Sequence, residues 1–174
     1  KVITSKKHRF EFLANRGFYK HTSDSKYLKK RYFYKIGCEL NLDNPKRYTE
    51  KLQWLKINYH KPEFTDMVDK FAVQKVVADT IGDEYLIPLV GGPWKSFDEI
   101  DFNKLPDKFV LKCTHDSGGL VICRDKKSFD KEKAKKKIQR CLKRNFYSLN
   151  REWVYKDVKP QIIAEQYMED TLTK

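Results

Sequence analysis

Between Lys108 and Cys123 the sequence reads Lys-Phe-Val-Leu-Lys-Cys-Thr-His-Asp-Ser-Gly-Gly-Leu-Val-Ile-Cys: two short apolar runs joined by a small polar loop that ends in two glycines. Lys112 falls at the end of the first run. A diglycine lets the backbone approach a ligand closely and visit conformations closed to other residues, and successive N–H groups in such a turn can converge on an anion. With Lys112 supplying a point charge, this is the layout of a loop that folds over nucleotide phosphates. A plain glycine-ended hairpin turn has the same signature, so the stretch alone leaves both readings open.

Other chemistry is harder to place. His115 and Asp116 are neighbours in that loop, and adjacent loop residues seldom point at one target, so a loop or substrate contact is preferred for them over general-base catalysis. The four histidines are scattered and form no Ser/His/Asp arrangement. No catalytic residue is assigned. Cys38, Cys113, Cys123 and Cys141 lack the close spacing of a zinc or redox centre, and no metal ligand is assigned either. Cys113 and Cys123 are placed to face each other across the expected hairpin, although free thiols are the favoured state.

The elements that must carry these residues follow from periodicity. At 174 residues, 40% of them hydrophobic and 14% aromatic, the chain has enough apolar material for one ordinary core or two small lobes. No apolar run approaches the roughly 18 residues of a membrane span. The formal charge of +13 is concentrated in 1–9, 26–35 and 126–144, which suits an anionic partner or a solvated lysine-rich surface.

Ser23 can cap an aromatic helix carrying Tyr27, Leu28, Arg31 and Tyr32, with Gly37 as its stop. Asn44 and Pro45 open a second helix in which Tyr48, Leu52, Leu55 and Tyr59 repeat along one face, and Trp54 and Leu55 are expected in the core. From Thr65 a short extended piece leads into a helix over Phe71 to Thr80, stopped at Gly82. Tyr85 to Val90 reads as a strand broken by Gly91-Gly92-Pro93. After the hairpin, 128–145 predicts an amphipathic helix with Ala134, Ile138, Cys141 and Leu142 inward, and 161–165 a last strand. The fold class is α/β of the α+β kind: a helical region over 1–64, a connecting segment over 65–107, and a lobe with a small antiparallel sheet and flanking helices over 108–174.

Three elements now stand in one order: Asp69-Lys70 ahead of a helix, Lys112 followed by the glycine-ended loop, and Ile163-Ala164-Glu165-Gln166-Tyr167-Met168. This order resembles the nucleotide half of ATP-grasp enzymes, and more closely the TupA-like ATP-grasp family of polysaccharide loci. The segment Asn44-Pro45-Lys46-Arg47-Tyr48-Thr49-Glu50-Lys51-Leu52-Gln53-Trp54-Leu55-Lys56 is similar to that family as well. The resemblance covers about Leu42 to Asp170. It implies that Lys70 and Lys112 contact nucleotide phosphates, and that Thr114, His115, Asp116, Ser117, Gly118 and Gly119 form the loop closing over them. It also implies that Glu165, Gln166, Tyr167 and Met168 hold adenine at a hinge, with Glu169 or Asp170 at the ribose.

The family places its magnesium-binding carboxylates and a phosphate-clamping arginine beyond the hinge, so the lobe is expected to be incomplete here, with the Mg2+ ligands downstream. The activity implied is that of an ATP-dependent ligase. ATP activates a carboxylate as an acyl-phosphate and an amine displaces it to form an amide, in the assembly of cell-surface polysaccharides. ATP and an anionic saccharide or amino-acid substrate are the expected partners, in the cytoplasm or peripherally at the inner membrane face. Glycosyl transfer is the alternative reading. A basic nucleic-acid-binding module is the second alternative and the less favoured, since no familiar motif accompanies the charge.

Overall fold

A computed structural model of the chain describes residues 5–169. In chain order the helices are α1 (Lys6–Asn15), α2 (Asp24–Ile36), α3 (Tyr48–Asn58), α4 (Glu63–Val68), α5 (Ala72–Ile81), α6 (Lys131–Leu142) and α7 (Tyr147–Asn150). The strands are β1 (Leu89–Trp94), β2 (Phe109–Cys113), β3 (Leu120–Cys123) and β4 (Ile162–Gln166). The chain forms two compact units, Lys1–Phe64 with Asn145–Asp157 and Thr65–Arg144 with Val158–Lys174.

The first unit is helical. Its core joins Phe10 and Ala14 of α1 to Tyr27, Leu28 and Tyr32 of α2 and to Leu40. Gly37 ends α2 in the left-handed conformation at φ +86°, where its N–H reaches the Phe33 carbonyl. Arg151 is buried against this core. Its guanidinium donates to the Tyr19 carbonyl at 2.6 Å, lies 3.4 Å from Asp24 and covers the Tyr27 ring at 4.5 Å. Its Nε has no hydrogen-bond partner among the described residues, so the carbonyl, the carboxylate and the ring together hold the buried charge and tie 145–157 to α2.

Two expectations fail in this unit. Helix α3 begins at Tyr48, after Asn44 and Pro45. Asn41 Oδ1 accepts the N–H groups of Asp43 and Asn44, and the Glu50 carboxylate accepts those of Lys46 and Arg47 at 2.9 Å each, so the preceding segment is held as a capped loop. Trp54 and Leu55, expected in the core, are 37% and 42% exposed. The aromatic core is already filled from α1 and α2, and Ile57 is the α3 residue that packs against it among those described.

The second unit is a four-stranded antiparallel sheet in the order β1-β4-β2-β3, with α6 packed on one face. Residues directly opposite each other share a face. One face therefore carries Phe109, Leu111 and Cys113 with Val121, Cys123, Ile162 and Ala164, and it forms the core with Ala134, Ile138 and Cys141 of α6. The other carries Val110, Lys112, Leu120, Ile122, Ile163 and Glu165. Asp130 caps α6 by accepting the Lys133 N–H at 2.8 Å.

Three further expectations are corrected. Residues 65–68 are helical, because α4 runs through them before α5 begins. Gly91-Gly92-Pro93 does not break β1, which continues to Trp94 with two register shifts. As an edge strand β1 tolerates a proline and bulges that an inner strand would not. Cys113 and Cys123 do not face each other across the hairpin: Cys123 lies opposite Phe109 and Cys113 opposite Ile162. All four cysteines are free.

Candidate functional site

The mixed face of the sheet holds the charges. Lys112, on the inner strand β2, extends its ammonium to the Glu165 carboxylate of β4, and the two side chains are 26% and 8% exposed. Their backbone positions are offset by one step, Val110 lying opposite Glu165 and Lys112 opposite Ile163, so the pair is diagonal across neighbouring strands. Lys112 thus points along the sheet and keeps part of its surface open.

Lys70 reaches the same region from the turn between α4 and α5. Its backbone N–H donates to the Thr114 carbonyl at 3.2 Å, and its ammonium donates to the carbonyls of Asp116 and Thr114. Burial lowers the Lys70 pKa, the Asp116 carboxylate opposes that shift, and repulsion from Lys112 adds to it. Two lysines 42 positions apart in sequence therefore sit within electrostatic reach of each other at the root of the glycine-ended loop.

The loop has an anchored half and an exposed tip. Thr114 donates its hydroxyl to the Lys159 carbonyl at 3.0 Å and accepts the Gln161 N–H at 3.2 Å. His115 is buried with Nε2 lying 3.2 Å from each of the Cys141 and Arg144 carbonyls, so Nε2 carries the proton and donates to both. Its Nδ1 has no partner, and burial pushes the imidazole pKa down. Asp116 is buried as well, with Oδ2 unpartnered. Ser117 and Gly118 are exposed, Gly118 at φ +100° with open space where a side chain would be.

Beneath the loop, burial pushes the Cys113 thiol up to about 12 and also raises that of Cys141. Both stay protonated at neutral pH and serve as packing groups, not nucleophiles. The residues expected at the hinge continue from β4. Gln166 spends its N–H on the Pro88 carbonyl at 2.9 Å. Tyr167 accepts from Arg124 Nε at 3.2 Å, Met168 is exposed, and Glu169 pairs with Lys108 at 3.0 Å. Asp170 lies outside the described residues.

The structure thus brings Lys70, Lys112, Glu165 and the Thr114 to Gly119 loop together, and leaves Tyr167, Met168 and Glu169 at the exit of β4. Reading the sequence alone missed Glu165 as the carboxylate partner of Lys112 and the apolar residues beside it, Val110, Leu120, Ile122 and Ile163. The alternation of Val110 and Lys112 with Phe109, Leu111 and Cys113 was the available signal. Among the described residues, no group of three or more His, Cys, Asp or Glu side chains is arranged to hold a metal ion. No described helix is long and apolar enough to cross a membrane.

Fold and site together define a mixed α/β protein whose small antiparallel sheet presents two lysines beside a glycine-ended loop, an arrangement suited to an anion. The chain belongs to the TupA-like ATPgrasp family, whose model matches residues 50–174. No curated protein and no solved structure matches it. The family makes it an ATP-grasp-related protein of the ligase kind, and ATP-grasp proteins generally bind ATP and magnesium.

Proposed function

We propose that this chain supplies nucleotide-binding elements of an ATP-dependent carboxylate–amine ligase acting in cell-surface polysaccharide assembly. The observation that carries the reading is the convergence of Lys70 and Lys112 on the root of the Thr114 to Gly119 loop. In this reading 65–107 leads into the nucleotide lobe, which starts at 108, and the work is cytoplasmic.

Lys112 exchanges part of its contact with Glu165 for a phosphate oxygen, so the carboxylate keeps the ammonium aimed before the nucleotide arrives. Lys70 fastens the loop by its carbonyls, and the exposed Ser117-Gly118 tip turns its N–H groups toward the phosphates. The exposed apolar side chains of Leu120 and Ile122 lie on the same sheet face as Lys112 and offer a surface for the base. The transferred phosphoryl group goes to a substrate carboxylate, ADP leaves, and an amine then displaces phosphate from the acyl carbon. The chain's own contribution is positioning and charge neutralisation. Magnesium, when bound, adds charge neutralisation at the phosphates, and no described residue is assigned to it.

Thermal-shift titration of the chain with ATP and magnesium tests this directly. ATP is expected to raise the melting temperature by mass action, and Lys112→Ala to abolish the shift. Stabilisation by nucleotide sugars but not by ATP would replace the ligase reading with glycosyl transfer.

A further inference from the structure

Strand β3 is the outer edge of the sheet, and beside it runs a groove of about 450 Å³. Its walls are Ile122 and Arg124 on the strand side and Lys133 and Lys137 of α6 opposite, over Phe129 and Ala134. The Cys113 N–H donates to the Gly119 carbonyl at 2.9 Å, which makes that pair the hydrogen-bonded kind. Alternation along the register then directs Val121 and Cys123 toward β2 and turns the N–H and C=O of Ile122 out into the groove. The two acidic residues at its end are engaged in capping: Asp130 holds the Lys133 N–H and Asp125 the Lys127 N–H. Lys133 and Lys137 are exposed, and no ion pair is formed by either among the described residues.

We propose that this groove binds an extended acidic peptide, which adds to β3 as a fifth strand. Two features select that occupant. An unpaired strand edge is satisfied by alternating amide donors and acceptors, which a peptide backbone supplies and a glycan does not. Lys133 and Lys137 line the groove that the added strand would occupy, and their charges favour carboxylates there. Lysines beside an open edge also discourage pairing between copies of the same basic chain; an acidic strand turns that repulsion into attraction. The docking shares Ile122 with the surface that the ligase reading offers to the base, but none of its charged contacts involves Lys70 or Lys112, so the lysine substitutions test the two separately.

Fluorescence anisotropy with labelled decaglutamate in low salt tests the proposal. Decaglutamate is expected to bind, and the same peptide with every backbone amide N-methylated, equal in charge, to bind about tenfold more weakly. Lys133→Glu with Lys137→Glu is expected to weaken binding by about tenfold, while Lys131→Glu with Lys136→Glu, an equal change of charge elsewhere on α6, stays within about twofold. Ile122→Pro removes the outward N–H and should match the effect of N-methylation. Circular dichroism shows whether that variant folds, and the methylated peptide makes the same test on the unaltered chain. Absence of decaglutamate binding would overturn the proposal. So would binding of the methylated peptide, or of an oligogalacturonate of equal charge, as tight as that of decaglutamate, since both results indicate diffuse charge attraction without strand addition.

Discussion

The carboxylate of Asp116 closes the space above Gly119: a Cβ placed on that glycine would stand 2.9 Å from Asp116 Oδ2 and 3.1 Å from Cys141 Sγ. Gly119 is thus required for close approach, whereas its neighbour Gly118 is required for its backbone, at φ +100° in open space. Gly119→Ala forces the buried Asp116 or α6 to move, and is expected to cost about 1–3 kcal/mol. Gly118→Ala strains only the exposed tip and should cost about 1 kcal/mol. Urea denaturation of both variants checks the order; a larger loss at Gly118 would mean that the loop is not packed on α6.

How much of this was legible in the sequence depends on whether a residue's role is local. The start of α2 after Ser23, the stop at Gly37, the inward stripe of α6 and the hairpin of β2 and β3 all rest on neighbours within a few positions, and each was readable, although the Ser23 side chain makes no capping hydrogen bond. Trp54 and Leu55 show the opposite case. Helical spacing says that they share a face, but whether that face is covered depends on how completely Phe10, Tyr27 and Leu28 fill the core from elsewhere in the chain. Gly91-Gly92-Pro93 reads as a break until β4 supplies a partner strand for it. In the site, Lys112 and the diglycine were visible, while Glu165 and Lys70 acquire their places only through strand pairing and a turn more than forty residues away.

Because Lys112 and Glu165 share one ion pair, stability and ligand binding can be separated there. Lys112→Met leaves a carboxylate buried without its cation and should cost roughly 1–3 kcal/mol. Adding Glu165→Leu removes the orphaned charge and should restore most of that loss. Nucleotide affinity should not recover in the double variant, because the ammonium is still missing. Melting curves and ATP titrations on the two single variants and the double one decide the matter; recovery of both properties together would assign Lys112 a structural role alone.

The exposure of α3 predicts an asymmetry between two leucines. Leu28 is buried among aromatic rings of the first unit, so Leu28→Ala should cost about 2–5 kcal/mol. Leu55→Ala, on a face that is largely open, should stay below about 1 kcal/mol. Chemical denaturation of the two variants measures this, and equal losses would place Leu55 in a core after all.

His115 predicts how stability changes with pH. Its Nε2 proton is shared by two backbone carbonyls, and Nδ1 is buried without a partner, so the folded chain holds the neutral ring and burial depresses its pKa below the ordinary 6.5. Above 6.5 the ring is neutral whether the chain is folded or unfolded, and its contribution is fully present. As pH falls below that value the unfolded chain takes up a proton that the folded chain refuses, and stability declines until the depressed folded value is passed. Each kcal/mol lost should lower the melting temperature by about 2–4 °C for a chain of this size. His115→Gln keeps a side-chain donor but does not titrate, so its melting temperature should fall less between pH 7 and pH 5 than that of the unaltered chain. Parallel curves for the two proteins would show that other groups govern the acid limb, and that the imidazole beneath the loop takes up its proton as freely when folded as when unfolded.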